Sequence, residues 1–228
     1  MIAPQVISLD LDDTLWPVAP VIAAAEEVLL AWLRAHHPRA ALGHDVVSMR
    51  ELRAAVSDRF PDQRHDLSFL RRRSLLEVFT AAGYAPDAAV PTPVEEAMEV
   101  FYTERNRVEF YADVRPALER LRSRYRLFAV SNGNADLHRC GIADLFEGHV
   151  TASAAGAAKP DPRIFAHLLQ MAKVEPIDVL HIGDDPLADV IGATRAGMQA
   201  VWLNRESRRW PLEFAPPART VSTLADIF

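Results

Sequence analysis

Cysteine is nearly absent from this chain. Cys140 stands alone among 228 residues, so no internal disulfide can form and a zinc site built on several cysteines is ruled out. Long apolar runs are missing too: no stretch reaches the roughly 20 residues that a membrane span needs. The first residues lack the basic-then-apolar order of a secretory signal. A positive surplus is also lacking, because 31 acidic side chains outnumber 25 basic ones for a formal charge of −6. That balance argues against general binding to nucleic acid or to an anionic membrane, while leaving room for a local basic pocket. No internal repeat or low-complexity linker is evident. With half the residues hydrophobic and a quarter charged, the expectation is an ordinary cytoplasmic globular protein, long enough for one large domain or two small ones.

What is present is concentrated near one end. Val6-Ile7-Ser8-Leu9 is an apolar strand-forming run that stops abruptly at Asp10-Leu11-Asp12-Asp13-Thr14. Carboxylates crowded at the C-terminal end of a buried strand repel one another unless a cation or a proton resolves the repulsion. Hard oxygen donors of this kind suit Mg²⁺ together with waters and a substrate phosphate. The plainer reading is that these aspartates only cap a strand-to-loop turn, as aspartate often does. The rest of the chain has to decide between the two.

Residues 17–111 read as helix after helix. Val18, Ile22, Ala25, Leu29 and Leu33 recur at helical spacing up to the His36-His37-Pro38 stop, where the histidine pair reads as a solvated helix end. Further helices are expected over 45–59, around Leu67 to Phe79 with Gly83 as the stop, and after Pro93. The pattern then becomes an alternation of strands and helices. It runs through a helix over 115–124, the strand Leu127-Phe128-Ala129-Val130, a short helix over 137–146 and a weak strand over 148–152. A helix capped by Asp161 with Pro162 in its first turn comes next, then the strand Val179-Leu180-His181-Ile182. A helix over 186–197 and a strand over 200–203 follow, with a late turn at Pro216-Pro217. The expectation is an α/β fold, a Rossmann-like parallel sheet core of residues 1–16 and 112–228, with an inserted helical domain of residues 17–111.

Four polar clusters sit at or after strand ends: Asp10 to Thr14, Ser131-Asn132, Lys159-Pro160 and Gly183-Asp184-Asp185 with Asp189. Each alone has a plain reading: a turn, a solvated lysine, or a helix cap at Asp185. Their joint order resembles the haloacid dehalogenase-like hydrolase superfamily, whose four motifs run as DLDDT, SN, K-P and GDDxxxD in this chain. The insert resembles that superfamily's helical cap, which closes over the pocket and selects the substrate. The resemblance implies a phosphatase in which Asp10 is the nucleophile and Asp12 the general acid and base. It further implies that Asp10, Asp184 and the Asp12 backbone carbonyl hold Mg²⁺, and that Ser131, Asn132 and Lys159 contact the phosphoryl group. Asp189 would orient Lys159 or hold a metal-bound water, with Asp185 and Thr14 in support.

Dehalogenase members of that superfamily resemble this chain at the nucleophile but lack the second acid, because a halide leaves without a proton. Asp12 therefore favours phosphate transfer over 2-haloacid dehalogenation. A phosphate-transferring mutase and a non-catalytic Mg²⁺ or phosphate-binding regulator are the remaining alternatives. The helical region offers Arg64, His65, Arg71, Arg72 and Arg73 as candidate anion contacts, but a charge run is usually a solvated face, and Arg71 to Arg73 span too much of a turn to point one way. Ser131-Asn132-Gly133-Asn134-Ala135 and the run from His181 to Trp202 resemble a bacterial flavin-pathway branch, and Trp16-Pro17 fits it. That branch acts on FMN or on 5-amino-6-(5-phospho-D-ribitylamino)uracil. Phosphoglycolate, a nucleotide or a sugar phosphate are the other phosphomonoesters in view. The partner expected is thus a small molecule, and monomer and homodimer both remain open.

Overall fold

The computed structural model describes residues 3–84, 92–211 and 213–227. The chain divides into two compact units, one made of Met1–Pro17 with Glu109–Phe228 and the other of Val18–Val108.

The chain opens with strand β1 (Val6–Leu9) and then enters the helical unit. This contains α1 (Val18–His36), α2 (Pro38–Ala41), α3 (Val46–Arg59), α4 (Leu67–Ala81) and α5 (Pro93–Arg105). Helix α3 starts on a reciprocal cap, with Asp45 accepting from the Ser48 amide and Ser48 from the Asp45 amide. The stripe Ala25, Leu29 and Leu33 of α1 is buried with Leu75, Phe79, Met98 and Phe101, the four-residue spacing placing one face inward. Among these apolar residues lies a buried carboxylate, Glu26, bonded by Arg50 at 2.6 Å and Arg53 at 2.8 Å, with Arg71 at 3.6 Å. Arg71 also lies over the Phe101 ring at 3.5 Å. Of the arginine run, Arg72 and Arg73 keep to the surface and pair with Glu95 and Glu77, whereas Arg71 is buried. The three arginines thus do not point one way, as three successive helical residues cannot, and the solvated face holds for Arg72 and Arg73 but not for Arg71. The two histidines also part: His36 is exposed, while His37 is half-buried with its ring against Phe79 and Tyr84.

Past residue 109 the chain builds the rest of the sheet. Its elements are α6 (Val114–Arg122), β2 (Arg126–Ser131), β3 (Gly148–Thr151), α7 (Ala152–Ala155), α8 (Pro162–Ala172), β4 (Val179–Gly183), α9 (Gly192–Arg195), β5 (Gln199–Leu203) and β6 (Thr220–Val221). The strands lie in the order β3-β2-β1-β4-β5-β6, and every pairing is parallel. Strand β1 is wholly buried between β2 and β4. Helix α8 is capped as its sequence predicts, Asp161 accepting from the Arg163 amide at 2.9 Å with Pro162 in the first turn. It buries Ile164, Phe165, Leu168 and Ala172 against Val130, Val150 and Val179. Each large apolar side chain so buried contributes roughly 1.5–3 kcal/mol.

One expectation is corrected and another refined. Residues 137–146 do not form a helix beyond the single 3₁₀ turn Ala143–Leu145. The Asp136 carboxylate accepts from the amides of His138 and Arg139, a local turn that competes with helix, and Gly141 then takes φ 71°. The helix expected over 186–197 is present, but its first part, Pro186–Ile191, is π-helical and runs into α9. Its wide bond from the Val190 amide to the Asp185 carbonyl accommodates the inward aim of Asp189. Strand β6 was not anticipated, since two residues carry no periodicity.

Candidate active site

Parallel strands deliver their C-terminal ends to one edge of the sheet, and the polar clusters follow from those ends. The Asp10 amide still donates to Ile182 at 2.9 Å, extending the β1–β4 ladder. The chain then turns through Asp13 at φ 60°. The Asp13 amide bonds the Trp16 carbonyl, and the Leu15 amide bonds the Leu11 carbonyl, both at 2.7 Å. The buried Trp16 ring donates its indole N–H to Asp12 Oδ1 at 2.8 Å, which fixes that carboxylate.

Lys159 is the hub. Its Nζ donates to Asp10 Oδ1 at 2.5 Å, Asp189 Oδ1 at 2.6 Å and the Val130 carbonyl at 2.8 Å, which accounts for all three of its hydrogens. Its backbone is gripped by Asn132, whose Oδ1 accepts the Lys159 amide at 2.7 Å while Nδ2 donates to the Lys159 carbonyl at 3.0 Å. One amide hydrogen of Asn132 is thus engaged in holding Lys159. Ser131 ends β2 and is buried, its Oγ accepting from the Gly133 amide at 2.9 Å.

Asp189 is held from three sides. Besides Lys159, Asp189 Oδ1 receives His181 Nε2 at 3.1 Å, and Asp189 Oδ2 receives the Asp185 amide at 2.9 Å. Gly183 makes room for it, since a Cβ there would lie 2.2 Å from the Asp189 carboxylate. Asp185 caps the π turn by accepting from Leu187 and Ala188. Asp184 Oδ1 accepts from Thr14 Oγ1 at 3.2 Å, and the Asp184 carbonyl accepts from Trp202 Nε1 at 2.8 Å and from Arg208 at 3.1 Å.

The charges are poorly balanced. Burial raises the proton affinity of Asp10 well above the ordinary carboxylate range; Lys159 opposes this, while Asp189 and Asp184 reinforce it. Burial, with Asp189 and Asp13 nearby, pushes Asp184 up to about 7. Burial alone would push the Lys159 ammonium down, but Asp10 and Asp189 outweigh it and keep it firmly charged. Burial would raise Asp189 as well, yet Lys159 and His181 hold it below the usual range.

Oxygens of Asp10, Asp184 and Asp189 all lie within 4.8 Å of one another. A cluster of hard oxygen donors with surplus negative charge fits a hard divalent cation. Asp189 has both oxygens engaged, so Asp10 and Asp184 are the better-placed donors. The Asp12 side chain is not in this cluster and is turned to Trp16 instead.

Two buried residues escaped the sequence reading. Ser8 and His181 face each other in register across β1 and β4, with Ser8 Oγ 2.8 Å from His181 Nδ1. An ionised Asp189 can only accept, so Nε2 carries the proton and Nδ1 accepts from the Ser8 hydroxyl. Burial lowers the His181 proton affinity, which keeps the ring neutral. The signal was available: one polar residue at the matching place in each of two apolar strands.

A sequence profile described as haloacid dehalogenase-like hydrolase matches residues 4–197. The chain is 32% identical over 201 residues to the 5-amino-6-(5-phospho-D-ribitylamino)uracil phosphatase YigB of Escherichia coli, covering 88% of this chain and 84% of that one. It is 35% identical over 164 residues to a phosphoserine phosphatase of Thermus thermophilus, covering 69% and 64% of the two chains. Among solved structures, a 2-haloacid dehalogenase from Pseudomonas syringae superposes with TM-score 0.90 at 37% identity, over 97% of this chain and 95% of that one. No helix among the described residues is long and apolar enough to cross a membrane.

Proposed function

The chain belongs to the haloacid dehalogenase-like hydrolase family, and on that premise we propose that it hydrolyses a phosphomonoester through an aspartyl-phosphate on Asp10. Asp10 attacks phosphorus, forming an O–P bond as the bond to the leaving oxygen breaks. Asp12, oriented by the Trp16 indole, gives its proton to that oxygen. Asp12 then takes a proton from the water that attacks phosphorus and frees Asp10. Lys159 keeps a fixed positive charge against the transferring group, and Ser131 with the remaining hydrogen of Asn132 contacts the phosphoryl oxygens. Held by Asp10, Asp184 and the Asp12 carbonyl, Mg²⁺ would offset the repulsion between nucleophile and phosphate and help align the attack.

The observation that carries this reading is the pairing of a buried, lysine-bonded Asp10 with a second acid, Asp12, held two residues on. The likeness to a dehalogenase structure at 37% identity favours a second reading, attack on the carbon of a 2-haloacid. A halide leaves without a proton, so that chemistry has no use for Asp12. For the substrate we favour a flavin-pathway phosphate, FMN or 5-amino-6-(5-phospho-D-ribitylamino)uracil. The support is the likeness to the Escherichia coli phosphatase along most of both chains, while one fold hosts many specificities.

The test is a panel compared by kcat/KM with Mg²⁺ present and removed by EDTA. It holds FMN, the ribitylaminouracil phosphate, phosphoserine, phosphoglycolate, nucleotides, sugar phosphates and a 2-haloacid. A flavin-pathway compound preferred by roughly tenfold, about 1.4 kcal/mol in transition-state binding, supports the substrate. Preference for another phosphate overturns the substrate alone. Halide release without phosphate release overturns the phosphatase reading, and a protein inert to all of them is better read as a binding module. Asp10→Asn should keep the fold and abolish turnover.

A further inference from the structure

Arg205 lies in the loop after β5, and nothing in the chemistry above uses it. Yet its guanidinium reaches back almost the length of the chain to the loop that follows β1. Nε and Nη2 both donate to the Thr14 carbonyl, at 3.1 and 2.9 Å. Nη1 and Nη2 donate to the two carboxylate oxygens of Asp113 at 3.0 and 3.2 Å. The flat group also stacks over the Tyr111 ring at 4.0 Å, and the Tyr111 amide donates to the Leu15 carbonyl at 3.0 Å. Asp113 is anchored in turn by Thr223 Oγ1 at 2.8 Å and the Leu224 amide at 2.7 Å. Burial would raise Asp113, but Arg205 and the Thr223 and Leu224 donors outweigh it and hold it ionised. Both ends of the ion pair are about 15% exposed, so solvent screens it little.

We propose that Arg205 is a positioning residue for the Asp10–Trp16 loop, with Asp113 as its fixed anchor. The inference rests on the phosphatase reading for its kinetic consequence, though not for its structural one. The carbonyls of two successive residues, Thr14 and Leu15, are held from behind by Arg205 and Tyr111. The Thr14 hydroxyl points forward to Asp184. Asp12 lies two positions before Thr14 in this loop, its carboxylate bonded by the indole of Trp16, two positions after Thr14. A planar fork can bond one carbonyl and one carboxylate at the same time; an ammonium supplies no such fixed geometry. The clamp therefore sets where the acid and the Asp184 donor stand, without touching a substrate.

The experiment compares wild type with Arg205→Ala, Arg205→Lys and Asp113→Asn, and with Arg120→Ala as a control. Arg120 bonds the Leu224 and Ala225 carbonyls of the same C-terminal turn but makes no bond to Thr14. Hydrogen exchange of the Asp13 and Leu15 amides is read first, because it needs no activity. It should quicken in the three clamp variants and not in Arg120→Ala. With the substrate that wild type turns over best, kcat should fall roughly 10- to 100-fold through misplacement. KM should stay within about twofold, the mark of an interaction felt mainly in the transition state. Added guanidinium ion should restore part of the rate to Arg205→Ala, and Arg205→Lys should remain impaired. Should Arg205→Ala not fold, Asp113→Asn and Arg205→Lys carry the same test. Unchanged loop exchange in these variants, or equal losses in Arg120→Ala, would overturn the proposal. If wild type hydrolyses no phosphomonoester the phosphatase reading fails, and the exchange arm still decides the clamp.

Discussion

Replacing Asp184 with Asn should make the metal-free protein more stable at alkaline pH. Burial and the neighbouring Asp189 and Asp13 carboxylates raise Asp184 from an ordinary 3.8 to about 7. A carboxyl that holds its proton more tightly when folded costs nothing below the unfolded value. It destabilises the fold increasingly as pH rises from about 4 to about 7, and fully above that. At about 1.4 kcal/mol for each tenfold change in proton affinity, the cost at pH 8 is at most about 4 kcal/mol. Relaxation around a side chain that is 20% exposed reduces this to on the order of 2 kcal/mol. Two favourable contacts oppose it. The Thr14 hydroxyl can still donate to an asparagine Oδ1, and the Arg208 pair is 3.6 Å long and half-exposed, worth under about 1 kcal/mol. Relief of the buried charge therefore wins. Melting in EDTA at pH 8 should show the variant higher by roughly 4–8 °C, at 2–4 °C per kcal/mol for a chain of this size. The difference should vanish below about pH 4, and Mg²⁺ should raise the wild type far more than the variant. A variant less stable than wild type at pH 8 without metal would refute the reasoning.

Two further outcomes follow from the same cluster. Lys159→Met leaves Asp10 and Asp189 buried without their ammonium, so it should lose at least about 3 kcal/mol at neutral pH by urea unfolding, with the loss shrinking in acid as the carboxyls protonate. Gly183→Ala puts a methyl 2.2 Å from the Asp189 carboxylate; a destabilisation of about 1–3 kcal/mol should come with a fall in kcat, because Asp189 also holds Lys159, and a variant of full activity would show that Asp189 is not needed where it stands.

The alternation of strands and helices was legible because burial is written in residue type. Val6 to Leu9 and Val179 to Ile182 are apolar runs too short for helices, and α8 carries its cap, its proline and its apolar face together. The inward turn of Arg71 was not legible, since its reason is Glu26, 45 residues earlier on another helix. The π turn was equally hidden. Pro186 and the following apolar spacing read as an ordinary helix, while the structure places the widened turn where Asp189 meets Lys159 and His181. Of the site, the Asp10–Thr14 and Asp184–Asp185 carboxylates announced themselves by crowding at strand ends, whereas Lys159, in the loop between α7 and α8, was legible only through the order of the four motifs and the family resemblance. Their holders were less so: Asn132 reads as a phosphate contact and not as a grip on Lys159, Arg205 looks like a surface charge, and Ser8 with His181 like interruptions in strands.

The holders explain why so unfavourable a cluster survives folding. Three carboxylates face one lysine, an arrangement that burial alone would dissolve by protonation or by moving a side chain away. Asp189 is prevented from moving by His181, Lys159 and the Asp185 amide, and Lys159 by Asn132 and the Val130 carbonyl. Asp189 and Asp10 share the one Lys159 ammonium, and burial with the neighbouring carboxylates still raises the proton affinities of Asp10 and Asp184. Those are also the two carboxylates with coordinating capacity to spare. With all three carboxylates ionised against the one ammonium, a formal charge of about −2 stands where the proposed divalent cation would sit, so on that proposal cation binding and the cost of the metal-free cluster have one origin. A substitution that relieves the second must weaken the first, which is why the Asp184 variant should gain stability and lose its response to Mg²⁺ together.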